Sequence, residues 1–272
     1  MRSESLPLAS NFHRRLRPGM GTFVEIGVER TEVSNAAVDA AFAVAAEVER
    51  SLSFQDFDSE LSRLNRAGAA GLTVSAVTAR VVRLARAIGR ASGNRFNATV
   101  GGALVRRGVL PDHGGPEAID SGSWTDIRIR GRHVGLARAV RLTLDGIAKG
   151  FAVDAMVRSL RSRGVSRGWV NAGGDLRSFG DLTLPVSRRE ADGRVVPLGG
   201  LREASLATSL AGDRGILAPG AIVAGSGGEA VTGTWSVIAR HAWRADALTK
   251  VAALTPARDR ASVLAHLGGR PA

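Results

Sequence analysis

The segment LDGIAKGFAVD, residues 144–154, places two carboxylates, two glycines and a lysine at the start of an apolar stretch. Gly146 and Gly150 have no side chains, so a ligand or another part of the chain can approach the backbone. The first N–H groups of a helix lack partners and carry partial positive charge, and Lys149 adds a full charge. These features suit a phosphate or pyrophosphate, with Asp145 as an N-cap or as an acceptor from a ribose hydroxyl. The alternative interpretation is a capped helix that packs closely on a sheet.

A second candidate site is RADALTK, residues 244–250. If this segment is helical, Asp246 and Thr249 are three residues apart and share one face. A carboxylate beside a hydroxyl offers the oxygen ligands that Mg²⁺ prefers, whereas the alternative is an exposed helix with an Arg–Asp pair. The chain has 37 lysines and arginines, of which only Lys149 and Lys250 are lysines, and each lies in one of these two segments.

Other short motifs are unspecific by themselves. NAGGD, residues 171–175, predicts a polar glycine turn at a strand end, and ATS, residues 207–209, is equally weak alone. None of the five histidines is paired at metal-binding spacing, and the GxSxG pattern of serine hydrolases is absent. Because the sequence contains no cysteine, it excludes disulfides, thiolate metal sites and cysteine nucleophiles.

The composition limits the possible partners. The formal net charge of +12 favours anionic ligands, yet the arginines are scattered, tyrosine is absent and aromatic residues make up only 4%. Single-stranded nucleic acids need aromatic stacking surfaces, so we expect small phosphorylated ligands and no nucleic acid. The sequence shows neither an apolar run long enough to span a membrane nor a secretory signal or lipid anchor, and we expect a cytoplasmic protein.

Hydrophobic periodicity predicts a mixture of helices and strands. The predicted helices span 35–52, 76–91 and 147–163 and are followed by two C-terminal helices, with Ser34, Ser75 and Thr255 as N-caps. The predicted strands cover 21–29, 124–130, 133–136 and 140–144, both flanks of NAGGD, VVPLGG, ASLATS and GTWSVIAR, while residues 103–122 are predicted as a loop. Since helices and strands do not alternate regularly, the predicted fold class is α+β rather than a doubly wound sheet.

Taken in order along the chain, these segments resemble the FAD:protein FMN transferase (ApbE) family. The segments that carry the resemblance are MGT at 20–22, SFQDFDSELSRLN at 53–65, FNATVGGAL at 96–104, LDGIAKGFAVD at 144–154, VNAGGDLRSFG at 170–180, ATS at 207–209 and ADALTK at 245–250. The combination of GIAKG with NAGGD at this spacing is specific. The resemblance implies an N-terminal extension at 1–19, a flavin transferase domain at 20–272, and a two-part fold of mixed sheets and helices with a central cofactor cleft.

The resemblance also implies a reaction and a set of site residues. Family members use Mg²⁺ to cleave the pyrophosphate of FAD, release AMP, and attach FMN to a threonine or serine of an acceptor protein. Carried over by position, Asp246 and Lys149 are the expected catalytic residues, and Mg²⁺ is expected to bind the Ala148 carbonyl, Asp246 and Thr249. The expected FAD-binding residues are Met20, Gly21, Thr22, Glu60, Thr99, Asp145, Gly146, Lys149 and Thr208.

Four departures from the family pattern bear on this expectation. Thr143 stands at the acid of Asp-Leu-Gly-Gly-Ile-Ala-Lys-Gly and Asp145 at its first glycine, while Asn97 replaces the acid of Phe-Asp-Pro-Thr. The family reads Asp-Ala-Leu-Ala-Thr, with its threonine four residues after the aspartate. Here Thr249 comes three residues after Asp246, and Lys250 holds the fourth position. Two alternatives follow: either Thr249 still reaches the metal, or the Lys250 ammonium replaces part of the metal's charge.

The fourth departure is a missing pair of reactive side chains. The family carries His-Ile-Ile-Asp-Pro-x-Thr-Gly before its last strand, and the corresponding stretch is GAIVAGSGGEAVTG, residues 220–233. Ala221 stands at the histidine and Ala224 at the aspartate. Besides an active transferase, the sequence therefore leaves two alternatives open: a flavin-binding protein with impaired catalysis, and an FAD pyrophosphatase that hydrolyses without transfer.

Overall fold

The computed structural model of the chain describes residues 11–32, 34–190, 192–212, 222–223 and 230–272. The strands are β1 Phe12–Gly19, β2 Thr22–Glu29, β3 Leu72–Thr73, β4 Ile127–Arg130, β5 His133–Leu136, β6 Gly168–Ala172, β7 Asp175–Phe179, β8 Leu184–Arg189, β9 Val195–Leu201, β10 Ser205–Ala211, β11 Ile222–Val223, β12 Ala230–Val231, β13 Gly233–Ala239 and β14 Gly269–Pro271. The helices are α1 Ser34–Leu52, α2 Glu60–Ala67, α3 Ala76–Ala91, α4 Gly101–Arg106, α5 Ala148–Ser162, α6 Ala242–Ala253 and α7 Ala257–His266, with 3₁₀ turns at Gly68–Ala70 and Trp124–Asp126.

The main sheet has seven strands in the order β1-β2-β6-β7-β10-β13-β14, and every neighbouring pair is antiparallel. Helix α5 lies against β6 and β7 and also contacts α1 and α6. Successive side chains of a strand point to opposite faces, so Val170 of β6 joins the core beneath these helices and Trp169 joins a smaller apolar cluster with the β8–β9 hairpin. The sheet is therefore covered on both faces.

A second, smaller part of the fold contains the three-stranded sheet β3-β5-β4 together with α2 and α3. Its buried side chains, including Leu61, Val81 and Val134, belong to the same core cluster as those of the main sheet. The mixture of antiparallel sheets and helices confirms the predicted α+β class. No helix among the described residues combines the length and apolar character needed to cross a membrane.

Long, strongly periodic segments form the predicted elements. Helices α1, α3 and α5 span Ser34–Leu52, Ala76–Ala91 and Ala148–Ser162, close to their predicted bounds. Ser75 caps α3 as predicted, because its side chain accepts a hydrogen bond from the Thr78 N–H at 3.2 Å. The strand, tight turn and strand predicted around NAGGD are β6 and β7.

The predicted strand at 140–144 is wrong, since only one isolated bridge, between Val100 and Arg141, forms there. The Asn65 side chain takes the place of a partner strand: its Nδ2 donates to the Leu142 carbonyl at 2.8 Å, and its Oδ1 accepts from the Leu142 N–H at 2.7 Å. Asn65 itself belongs to α2, a helix that sequence analysis missed. The backbone of Leu142 is thus satisfied without a sheet.

Three other boundaries need correction. Helix α4 begins before and extends into the predicted loop at 103–122. Helix α7 has Pro256 rather than Thr255 at its N-cap, because the Thr255 hydroxyl instead donates to the Val251 carbonyl at 2.6 Å. Ser34 is the first residue of α1, and its hydroxyl donates to the Glu29 carbonyl at 2.8 Å, tying the helix to the end of β2. Short elements and helix ends depend on such contacts more than on local sequence.

Candidate functional site

Helix α5 begins at Ala148 and receives its cap from another helix. Ile147 stands at the N-cap position and has no side-chain oxygen to accept from the first N–H groups. The Asp246 carboxylate of α6 replaces it, because Oδ2 accepts from the Gly150 N–H at 3.2 Å. Asp246 is only 1% exposed, so this contact places a buried carboxylate beside the positive end of α5.

Gly150 makes the close crossing of α5 and α6 possible. A Cβ at this position would lie 2.3 Å from the Ala242 carbonyl oxygen and 2.8 Å from the Trp243 Cα. Both are backbone atoms, so neither can move aside without shifting a helix. The glycine predicted for close approach therefore admits a neighbouring helix, and this crossing holds Lys149 near Asp246.

The Lys250 ammonium lies on Asp246 in an i,i+4 ion pair within α6. Its Nζ is 2.6 Å from the Asp246 Oδ1, 3.3 Å from the Asp246 carbonyl oxygen and 3.0 Å from the Ser209 Oγ of β10. An ammonium has three N–H donors, and these three acceptors match them. The lysine stem packs against Gly146, where a Cβ would lie 3.2 Å from the Lys250 Cε.

Thr249 is fully buried and its hydroxyl is engaged within the same cluster. Its Oγ1 donates to the Asp246 carbonyl at 2.7 Å and lies 2.7 Å from the Ser209 Oγ. Since Thr249 uses its proton on the Asp246 carbonyl, Ser209 donates to Thr249 and accepts from Lys250. The result is one continuous chain of hydrogen bonds that joins β10 to α6.

Three carboxylates, Asp145, Asp175 and Asp246, surround the two lysines. Burial, followed by the nearby Asp246 charge, raises the pKa of Asp175 from 3.8 to about 8, although Lys149 and Lys250 oppose the rise. Burial also raises the pKa of Asp145, which faces the open space of a cavity yet lies deep within the surrounding protein. Burial works against the charge on Lys149, but the carboxylates of Asp175, Asp246 and Asp145 outweigh it and raise the pKa of Lys149.

A cavity of about 360 Å³ opens over this cluster. Its polar side includes Asp145, Lys149, Thr208, Ser209 and Lys250. Its apolar side includes Phe96, Val100, Leu104, Val109, Leu110 and Leu254. Ligand pockets typically combine an apolar wall with a few converging polar groups, and this cavity has that character. Four of the residues expected to bind FAD line it, namely Asp145, Gly146, Lys149 and Thr208.

The residues MGT at 20–22 lie in a tight turn beside the cavity wall. Met20 and Gly21 have φ angles of +57° and +68° in the two-residue loop between β1 and β2, which is the conformation of a type I′ hairpin turn. Thr22 follows the turn and touches Gly173, where a Cβ would lie 2.7 Å from the Thr22 Oγ1. Gly173 itself lines the cavity.

Two residues expected to bind FAD make internal hydrogen bonds instead of lining the cavity. Glu60 accepts from the Ser75 N–H at 3.0 Å and from the Thr78 hydroxyl, and so fixes the start of α3. Thr99 is fully buried, donates to the Asn97 Oδ1 at 2.7 Å and accepts from the Gly122 N–H at 3.0 Å. Their polar groups hold loops and a helix end in place.

The residues expected to bind Mg²⁺ do not form an open ligand set. Both Asp246 carboxylate oxygens have donors, Gly150 N–H and Lys250 Nζ, and the Thr249 hydroxyl is engaged as well. Mg²⁺ requires octahedral ligands at about 2.0–2.1 Å. The Lys250 ammonium occupies the position beside the Asp246 carboxylate where such an ion would bind. Ala148 is buried as the first residue of α5. In the part of the chain that the structure describes, no group of three or more acidic or histidine side chains could hold a metal ion.

Sequence analysis missed two members of the site. Asp175 was treated only as part of a glycine turn, and Ser209 only as the end of the unspecific ATS. Lys250, by contrast, was recognised from the sequence, because lysine is scarce in this chain. Ala221 and Ala224, the positions where the family's histidine and aspartate are missing, lie outside the described residues.

Comparison with known proteins gives a consistent result. The sequence model of the ApbE family matches residues 20–271. The apo flavinyl transferase ApbE of Pseudomonas stutzeri is similar over 93% of this chain and 87% of that chain, with 19% identity and a TM-score of 0.77. The flavin transferase ApbE of Vibrio cholerae is similar over 93% and 89%, with 20% identity and a TM-score of 0.79. The ApbE protein of Thermotoga maritima is similar over 93% and 90%, with 22% identity and a TM-score of 0.80. A search of curated protein sequences finds no match.

Proposed function

The chain belongs to the ApbE family, and from this premise we propose that it is a flavin transferase that moves FMN from FAD to a threonine or serine of an acceptor protein. The observation that carries the proposal is the position of Lys149 and Lys250 in one cavity, which is also lined by apolar side chains such as Phe96 and Leu254. A dinucleotide with aromatic rings and a pyrophosphate needs both kinds of surface.

The cavity suggests where each portion of FAD binds. The pyrophosphate lies at Gly146 and Lys149, where the start of α5 and the lysine provide positive charge. A flavin or adenine ring packs on the apolar side beside Phe96 and Leu254. Thr208 offers a hydroxyl, which shares a hydrogen bond of 2.8 Å with the Ser236 hydroxyl.

In the proposed reaction the hydroxyl oxygen of the acceptor attacks the phosphorus of the FMN portion. The bond from this phosphorus to the bridging oxygen breaks, AMP leaves with that oxygen, and the hydroxyl proton passes to a base. Lys149 stabilises the negative charge that develops on the leaving phosphate. No step is assigned to Mg²⁺, because the oxygens of Asp246 and Thr249 are already engaged.

Asp145 is the candidate base. Among the described residues that line the cavity it is the one carboxylate, and burial raises its pKa, which makes it a stronger base than an ordinary aspartate. We expect Asp145→Asn to slow AMP release while FAD still binds. Unchanged AMP release by this variant would exclude Asp145 as the base.

The test of the function is incubation of the purified protein with FAD and a panel of threonine- and serine-containing peptides. Free AMP is followed by chromatography, and FMN on the peptide is followed by flavin fluorescence and mass spectrometry. Flavin-labelled peptide together with AMP supports the transferase. AMP without labelled peptide supports an FAD pyrophosphatase.

A flavin-binding protein without catalysis is the second candidate, because Ala221 and Ala224 replace the reactive histidine and aspartate of the family pattern. FAD that binds and is recovered intact after long incubation would favour it. Lys149→Met serves as the matched control in both assays, since it keeps the length of the side chain and removes the charge.

A further inference from the structure

We propose that the Lys250 ammonium is a built-in replacement for the divalent cation of this site, so that the protein binds FAD without Mg²⁺. The inference rests on the proposed function for the identity of the ligand. It rests on the structure alone for the position of the charge.

The first argument is geometric. Three oxygens converge on the Lys250 Nζ at 2.6, 3.0 and 3.3 Å, and they come from a carboxylate, a hydroxyl and a main-chain carbonyl. These are the ligand types that bind hard cations in proteins. Here an ammonium occupies their point of convergence and satisfies each of its three N–H groups there.

The second argument is the choice of lysine. The chain uses arginine at 35 of its 37 basic positions, as follows from its two lysines, Lys149 and Lys250. Arginine has a flat fork that needs acceptors spread in one plane, whereas lysine carries a compact point charge. The small space between Asp246, Ser209 and Gly146 accepts the compact charge, because Gly146 leaves room for the lysine stem.

The third argument is exposure to the ligand. The Asp246 side chain is 1% exposed and the Lys250 side chain is 22% exposed, and Lys250 lines the cavity. Lys250 therefore separates the Asp246 carboxylate from the space where the pyrophosphate would lie. All three of its donors are already used, so it acts on the pyrophosphate as a charge rather than as a hydrogen-bond donor.

The first experiment measures Mn²⁺ binding to the protein without FAD, with free Mn²⁺ followed by electron paramagnetic resonance. We expect the wild type to leave Mn²⁺ free and Lys250→Ala to gain one site, because the alanine frees the oxygens and the space. Equal Mn²⁺ binding by the two proteins, with displacement by Mg²⁺, would overturn the proposal. The wild-type protein alone is informative if the variant does not fold, since Mn²⁺ bound there and displaced by Mg²⁺ already contradicts it.

The second experiment measures FAD affinity by flavin fluorescence in chelator and in excess Mg²⁺. The wild type should bind equally in both. Lys250→Ala should bind roughly tenfold or more weakly in chelator and recover in Mg²⁺. Lys250→Met, which fills the space without a charge, should stay weak in both solutions. The control Arg258→Ala removes an exposed charge, with 86% of the arginine side chain accessible, and should bind like the wild type.

The two experiments separate the possible failures. Absence of FAD binding by the wild type both in chelator and in excess Mg²⁺ would refute the proposed function, while the Mn²⁺ comparison would still decide the role of Lys250. FAD binding that chelator abolishes and Mg²⁺ restores in the wild type would refute the role of Lys250 and leave the proposed function intact.

Discussion

Replacing Asp175 by asparagine should change how the stability of the protein depends on pH. Asp175 is only 4% exposed. Burial and the Asp246 charge raise its pKa from 3.8 to about 8. Between these values the folded protein keeps a proton on Asp175 that the unfolded chain releases.

The sign and size of the effect follow from this difference in bound protons. The folded state binds one more proton than the unfolded state, so the free energy of unfolding falls as pH rises, by about 1.4 kcal/mol per pH unit from this group alone. From about pH 5 to about pH 8 the loss is on the order of 4 kcal/mol, and it levels off above the folded pKa. Asparagine does not titrate, so Asp175→Asn should lack this part of the slope.

The assay is urea unfolding of the wild type and of Asp175→Asn at several pH values, followed by tryptophan fluorescence. The difference between the two free energies of unfolding should shift in favour of the variant as pH rises. Asp145 also has a raised pKa, but it is present in both proteins and largely cancels in the difference. The control Asp192→Asn, at an exposed position, should run parallel to the wild type. A difference between wild type and Asp175→Asn that does not vary with pH would refute the assignment of a buried proton.

Three further predictions concern the neighbouring residues. Lys149→Met should weaken FAD binding by about tenfold or more, measured by flavin fluorescence, and unchanged affinity would place the pyrophosphate elsewhere. Gly150→Ala should lower the free energy of unfolding by about 1–3 kcal/mol, because the new methyl group would meet the Ala242 carbonyl at 2.3 Å; wild-type stability in urea would contradict this crossing. Asp246→Ala should lower the free energy of unfolding by about 1–3 kcal/mol, since it leaves the Gly150 N–H without its acceptor and the Lys250 ammonium without its carboxylate. A melting temperature equal to that of the wild type would show that these contacts are not structural.

The fold could be predicted where the residues of a segment determine its secondary structure without distant contacts. Helices α1, α3 and α5 follow from their periodic apolar residues, and the β6–β7 hairpin follows from two apolar runs around a glycine turn. The residues at 140–144 have the same strand-like composition, but Asn65 binds the Leu142 backbone from a distant part of the chain. No local pattern contains that contact, so the strand prediction failed there.

The site could be predicted only in part for the same reason. Asp145, Gly146 and Lys149 share one short motif, and the structure brings them to one cavity. The position of the Lys250 ammonium depends on Ser209, which belongs to β10 and lies 41 residues away in sequence. The burial of Asp175 depends on the helices packed over β7. The sequence alone does not predict which carboxylates become buried away from solvent.

The crossing of α5 and α6 at Gly150 has a consequence for the entropy of binding. The two helices meet through backbone atoms, with no flexible side chain between them, so they cannot slide past one another without breaking the contact. The backbone that carries Lys149 and Asp246 is therefore in place when the chain folds rather than when a ligand arrives. Binding an anion at this point should need little reorganisation of the two helices, and the ordering of their backbones is already included in the free energy of folding.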